Sequence, residues 1–242
     1  MWALFKKEIN SFFSSLIGYI VIILFLAVNA IFLWLVPNSN LLDYGYADLR
    51  LFFENAPYIF LLLIPAVTMR SFAEEKNLGT LESIMTKPIS ESRVIFAKYM
   101  ASLVLVIFAV LPTITYYITL YVLGNPAGNI DSGAVMGSYI GLLLLASVYV
   151  AIGIFASSLT DSQIVSLLIS VCLCLLVSEG FQLLADLRTF KSLNLFLTEM
   201  GIVTHYVSMS RGVVDTRDIV YFLSANIFFL LCTKTVLQKR KW

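Results

Sequence analysis

The sequence predicts an all-α membrane protein with six transmembrane helices. Two observations carry this. Sixty per cent of the 242 residues are hydrophobic and 13% are charged, whereas soluble domains run near half apolar and a quarter charged. Mean hydropathy is +0.90. The charges are also clustered, leaving apolar runs that can cross a hydrocarbon core of about 30 Å, which takes about 20 helical residues. A net charge of +1 gives no footing for a nucleic-acid partner; the expected surrounding is membrane lipid.

Taken in order, residues 1–15 form an amphipathic helix. Trp2, Phe5, Ile9, Phe12, Phe13 and Leu16 recur at helical spacing, with Lys7, Asn10 and Ser14 opposite. Such a helix suits the membrane interface. The first span, 16–36, is 21 residues without a charge. It is longer than a signal-peptide core and precedes no A-x-A-like site, so no cleavable leader is expected. The second span, about 53–70, holds Pro65, and the third, 99–123, holds Pro112; kinks rather than breaks are expected there. The fourth covers 134–157, the fifth 164–184 with the acid Glu179, and the sixth 219–237 with Lys234 snorkelling near its end. Residues 185–218 form a second amphipathic region. Leu193, Phe196, Leu197, Met200, Val203 and Val207 make its apolar stripe, with Asn194, Thr198 and His205 on the other face.

Orientation follows from the basic residues. Lys6, Lys7, Arg70, Lys76, Lys87, Arg93, Lys98, Lys234, Lys239, Arg240 and Lys241 fall on the side of the termini. Arg50, Arg188, Lys191, Arg211 and Arg217 fall on the other. Eleven of the 16 therefore place both termini in the cytoplasm. Trp34, Tyr58, Tyr116, Tyr117 and Tyr121 lie near outer span ends as an aromatic belt.

The segment 70–98, RSFAEEKNLGTLESIMTKPISESRVIFAK, is the longest cytoplasmic loop. Residues 70–77 continue the second span as helix, and Gly79 suits the left-handed position that ends it. Thr80 can cap a new short helix with Glu82 in its first turn, where negative charge meets the positive dipole end. Leu81, Ile84 and Met85 form the apolar face of that helix. Pro88 stops it, and Ser90 can cap the third span. A short helix braced on both sides by spans is a lever suited to a partner's groove.

The run E-x-x-x-G-T-L-E followed by P-[aliphatic]-S, here Glu75, Gly79, Thr80, Leu81, Glu82, Pro88, Ile89 and Ser90, resembles the cytoplasmic loop of ABC-2 type permeases. The six spans, the first helix and the outer amphipathic region match that family too. The stretch from His205 to Ser224 and the terminal QKRKW resemble its gliding-motility branch. The resemblance implies a type V exporter-like permease fold in a bacterial inner membrane. It also implies an ATPase-coupling site at Glu75, Gly79, Thr80, Leu81, Glu82, Ile84, Met85 and Pro88, with Glu75 in a membrane-proximal gating segment. The partners implied are a cytoplasmic ABC ATPase dimer and a second permease subunit. That subunit is homo- or heteromeric, with a large periplasmic domain in the gliding case. Spans one, two and five would line the path between the two permeases.

The chain contains no G-x-x-x-x-G-K-[ST], so no phosphate cradle of that type is encoded. No cofactor, metal site or catalytic residue of its own is expected; ATP and Mg would belong to the partner. Polysaccharide, lipid or drug export unrelated to gliding, and a mechanical scaffold that moves no molecule, stay open as alternatives. An ion-coupled carrier is disfavoured because paired intramembrane charges are missing from the spans. Glu179 divides between an intramembrane functional acid and an interfacial one. Asn29 and Asn226 read as interhelical hydrogen-bonding residues. His205 reads as a solvated polar-face residue without metal-ligand partners. Cys172, Cys174 and Cys232 read as packing residues.

Overall fold

The computed structural model describes residues 2–36, 48–86, 90–126, 128–186 and 198–239. Every regular element among them is helical. Helix α1 (Trp2–Ser14) precedes α2 (Leu16–Ala30), which continues through a π-turn (Ile31–Leu35). Then follow α3 (Arg50–Thr68), α4 (Arg70–Asn77) and the short α5 (Thr80–Met85). Helix α6 (Glu91–Val110) runs through a 3₁₀ turn (Leu111–Thr113) into α7 (Ile114–Leu123). Next come α8 (Ser132–Leu159) and α9 (Gln163–Leu175). A second π-turn (Leu176–Gly180) joins α9 to α10 (Phe181–Asp186). Helix α11 (Ile202–Ser210) and the last span, α12 (Thr216–Lys239), complete the described chain. Six of these runs are long and apolar enough to cross a membrane: 18–35, 50–77, 91–123, 132–159, 163–185 and 216–239.

Helix α8 is the axis of the bundle, packing against α3, α6, α9, α11 and α12. Its residues from Leu145 to Ile154 are almost all buried, because neighbours cover it on every side. Small residues make this closeness possible. A Cβ at Gly153 would stand 2.0 Å from Thr68 Oγ1 on α3, and one at Gly141 would stand 2.7 Å from Met209 Cβ on α11. Polar side chains join the spans at depth: Tyr99 donates to Asn226 Oδ1 at 3.1 Å, and Asn226 donates to Ser147 Oγ at 2.7 Å. The thinly covered faces of α2, α9 and α12 present residues such as Ile23, Leu168 and Phe228 outward, as expected of helices that face lipid or another chain.

Neither proline breaks its span, and several other expectations need correction. Pro65 sits inside an unbroken α3, but Pro112 converts a turn of the third span to 3₁₀. Proline cannot donate to the i−4 carbonyl, here that of Phe108, and in the same turn Thr113 Oγ1 donates to Val110 O at 2.7 Å. Ser90 occupies the N-cap position of α6 without a side-chain cap bond. Within the described part of the stripe, from residue 198 on, the helix is not continuous. Gly201 interrupts the helix, and α11 restarts with Ile202, Tyr206 and Met209 buried, while Val207 is partly exposed. Leu193, Asn194, Phe196 and Leu197 lie outside the described residues, as do Lys87, Pro88 and Ile89.

Candidate functional site

The end of the bundle that carries α1, α4 and α5 concentrates the buried charge. Helix α4 begins where α3 ends, and its first-turn amides need acceptors. Ser157, near the end of α8, supplies one. Its Oγ accepts from Phe72 N at 2.9 Å and Ala73 N at 3.0 Å, and donates to Met69 O at 3.0 Å. This is an N-cap delivered from another helix. One turn on, Lys76 Nζ donates to Ser158 O at 2.5 Å and lies 3.8 Å from Asp161. Helix α4 is thereby fastened to α8 at both ends.

On its other side, α4 presents Glu75 to two lysines. Oε1 accepts from Lys7 Nζ at 2.8 Å, and Oε2 lies 2.9 Å from Lys98 Nζ. The second contact is an ion pair without hydrogen-bond angles, since Oε2 has no hydrogen-bond partner among the described residues. Lys98 also pairs with Glu8 at 2.9 Å, and Lys7 lies 3.5 Å from Glu8. The Lys98 side chain is 1% exposed. It donates to Ser71 O at 2.6 Å and stands 5.1 Å above the Phe72 ring. Two acids and two lysines thus form a ring of opposite charges joining α1, α4 and α6. Buried ions are tolerated only when paired and hydrogen-bonded. Burial works against the Lys7 ammonium, but the hydrogen bond and charge of Glu75, aided by Glu8, outweigh it and raise its pKa above the ordinary lysine value of 10.5.

From this anchored base, α5 projects. Gly79 adopts φ +67 with open space where a side chain would sit, the left-handed turn expected at a helix end. Thr80 does not cap α5: it is that helix's first residue, and its Oγ1 donates backwards to Glu75 O at 3.3 Å, closing the end of α4. Glu82 lies in the first turn of α5 and is exposed, as are Leu78, Ser83 and Thr86. Leu81, 5% exposed, is the foot that ties the helix to the bundle. Ile84 and Met85 belong to α5 by backbone; Pro88 lies outside the described residues.

The other singled-out residues lie elsewhere. Asn226 bridges α12, α6 and α8, whereas Asn29 Nδ2 turns back on Phe25 O of its own helix at 2.8 Å. Glu179 falls in the π-turn after α9 and lines a cavity at the opposite end of the bundle. His205 is not a solvated residue. Nδ1 lies 2.7 Å from Asp218 Oδ1, Nε2 lies 2.9 Å from Glu199 O, and the ring stacks on Tyr221 at 4.0 Å. Among the described residues no group of His, Cys, Asp and Glu could hold a metal ion.

Sequence reasoning found Glu75 but not its partners. Glu8 had a signal: it falls between Phe5 and Phe12 on the apolar face of α1, where an acid needs a cation. Lys98 had none beyond its place beside a span.

From α1 to the last span, the sequence matches one family. The family model described as ABC-2 family transporter protein matches residues 2–237. The chain belongs to the ABC-2 transporter family. It is therefore a multi-pass membrane permease of an ABC transporter, with the all-helical, six-span fold expected for such a chain. ABC-2 permeases are transport components, typically not catalytic themselves, that work with a cytoplasmic ABC ATPase. A search of curated proteins found no match to the chain.

Proposed function

We propose that α5 of this ABC-2 permease is the point at which a partner ATPase delivers its work, and that α4 with its charge ring passes the displacement to the spans. One observation carries the reading. The exposed six-residue α5 hangs from a helix fixed to α8 through Ser157 and Ser158 and to α1 and α6 through Glu75. A push on α5 cannot be absorbed by a loose loop. It must move α4, and with it the ends of α8, α1 and α6. ATP and Mg belong in this reading to a cytoplasmic ATPase dimer. The bias of eleven basic residues among 16 supports both termini and α5 in the cytoplasm of a bacterial inner membrane.

Two permease subunits, alike or different, would face each other through the thinly covered helices. The resemblance of 205–224 to the gliding-motility branch supports a heteromeric complex with a periplasmic partner. Transport of a molecule and transmission of force both use the same lever.

The test is reconstitution with the ATPase. Gly79→Val and Glu82→Lys should each lower co-purification or permease-stimulated ATP hydrolysis at least several-fold while membrane insertion is unchanged. Unaltered coupling in both variants would remove α5 from this role. The native mass of the purified complex separates a homodimeric from a heteromeric permease pair.

A further inference from the structure

At the end of the bundle opposite α5, a cavity of about 810 Å³ opens between α3, α8, the π-turn after α9, and α11. Along α8 its lining runs from Asp131 to Tyr149, which at about 1.5 Å per residue is about 27 Å of depth. The wall is mixed: Phe53, Leu61, Val135 and Leu145, on α3 and α8, give it an apolar stretch and are all less than 10% exposed, while Asn55, Ser138 and Tyr206 add polar groups.

The polar groups are unevenly satisfied. Asp131 accepts from the amides of Gly133 and Ala134, and Glu54 pairs with Arg50 at 2.6 Å. Glu179, in contrast, makes no hydrogen bond or ion pair with any described residue. It sits in a π-turn, Leu176–Gly180, and such single-turn widenings recur at functional sites. Here the turn brings Ser178 and Glu179 together to the cavity wall. Tyr149 and Tyr58 line the same cavity. A carboxylate inside a membrane span is costly without a counter-charge. Tyrosine faces attract cations as well. The lining as a whole carries four carboxylates (Asp48, Glu54, Asp131, Glu179) against two guanidiniums (Arg50, Arg211), a net −2, so its field favours positive charge.

We infer that this cavity is a binding site for a lipophilic amine, an extended apolar chain lying along α3 and α8 with its ammonium group at Glu179. The site belongs to the permease chain alone and is independent of where the ATPase docks.

The experiment uses the purified full-length chain in a nonionic maltoside detergent, with radiolabelled decyltrimethylammonium as probe. Saturable binding is expected at one site per chain. Unlabelled decylamine should compete, whereas decanol and decyl sulfate should not. Glu179→Gln should weaken binding at least tenfold with an unchanged size-exclusion profile. Val207→Trp introduces bulk from a lining residue that is 37% exposed and so outside the packed core. It should block the probe even if the Glu179 variant does not fold. Binding that does not saturate, equal competition by decanol, or full binding in Val207→Trp would each overturn the inference.

Discussion

Lys98 shows how much one side chain can decide in this protein. It is a long cation with 1% of its side chain exposed, held by Glu8, Glu75 and the Ser71 carbonyl. Removing one member of a buried ion cluster costs about 3–5 kcal/mol, because the remaining charges lose compensation. Lys98→Met should therefore lower the thermal midpoint of the purified chain markedly. The double variant Lys98→Met/Glu8→Leu should recover part of the loss, since Glu75 keeps Lys7 at 2.8 Å. A double-mutant cycle on melting curves measures that coupling. The neighbouring Lys7 has a folded pKa raised above 10.5. Its contribution is whole below pH 10.5 and fades as pH rises through the raised value. Alkaline titration should accordingly free α1 from α4 in the wild type, and Lys7→Met should lack that transition when α1 is followed by limited proteolysis.

At the scale of the element, α4 owes its placement to groups outside itself. Ser157 satisfies two of its amides, and an unsatisfied buried donor costs about 1–3 kcal/mol. Ser157→Ala should speed hydrogen exchange at Phe72 and Ala73 while exchange at mid-α8 amides stays slow. Gly79 sets the direction of α5 through backbone conformation alone, since no atom lies within 4 Å of a built Cβ. A left-handed residue other than glycine costs about 1–2 kcal/mol, and asparagine tolerates the position best. Gly79→Asn should keep most stimulated ATP hydrolysis, and Gly79→Val should lose most of it. The helices themselves were legible in the sequence because hydropathy and length decide membrane spans, and Gly79 because its turn chemistry is local. The trans-acting cap by Ser157 was not legible: it joins positions 85 residues apart, and no local pattern marks a serine for that duty. The break at Gly201 was missed because an apolar stripe was read straight through a residue that ends helices.

For the molecule as a whole, the two ends of the bundle have different chemistry, and α8 runs between them. One end joins Lys7, Glu8, Glu75 and Lys98 in ion pairs, beside a helix that projects. The other has a cavity in which Glu179 makes no hydrogen bond or ion pair with a described residue. Helix α8 touches both: Ser157 and Ser158 hold α4, while Val135, Leu145 and Tyr149 line the cavity. Packing along it is close enough that rigid motion is the natural response to a push. A methyl group at Gly153 would meet Thr68 Oγ1 at 2.0 Å and Thr68 Cβ at 2.8 Å, contacts that α3 and α8 can relieve only by separating. Overpacking of this kind costs about 1–3 kcal/mol, and it lies on the contact that would relay movement from α4. Gly153→Ala should thus lower stability by that amount, and Gly153→Ala/Thr68→Ala should restore part of it, since the 2.0 Å contact goes while the Cβ contact at 2.8 Å stays. If α3 and α8 move as one unit, the single variant should also reduce permease-stimulated ATP hydrolysis, and the double variant should recover part of it in step with the melting temperature. Recovery of stability without recovery of stimulated hydrolysis would show that the two ends communicate by another route.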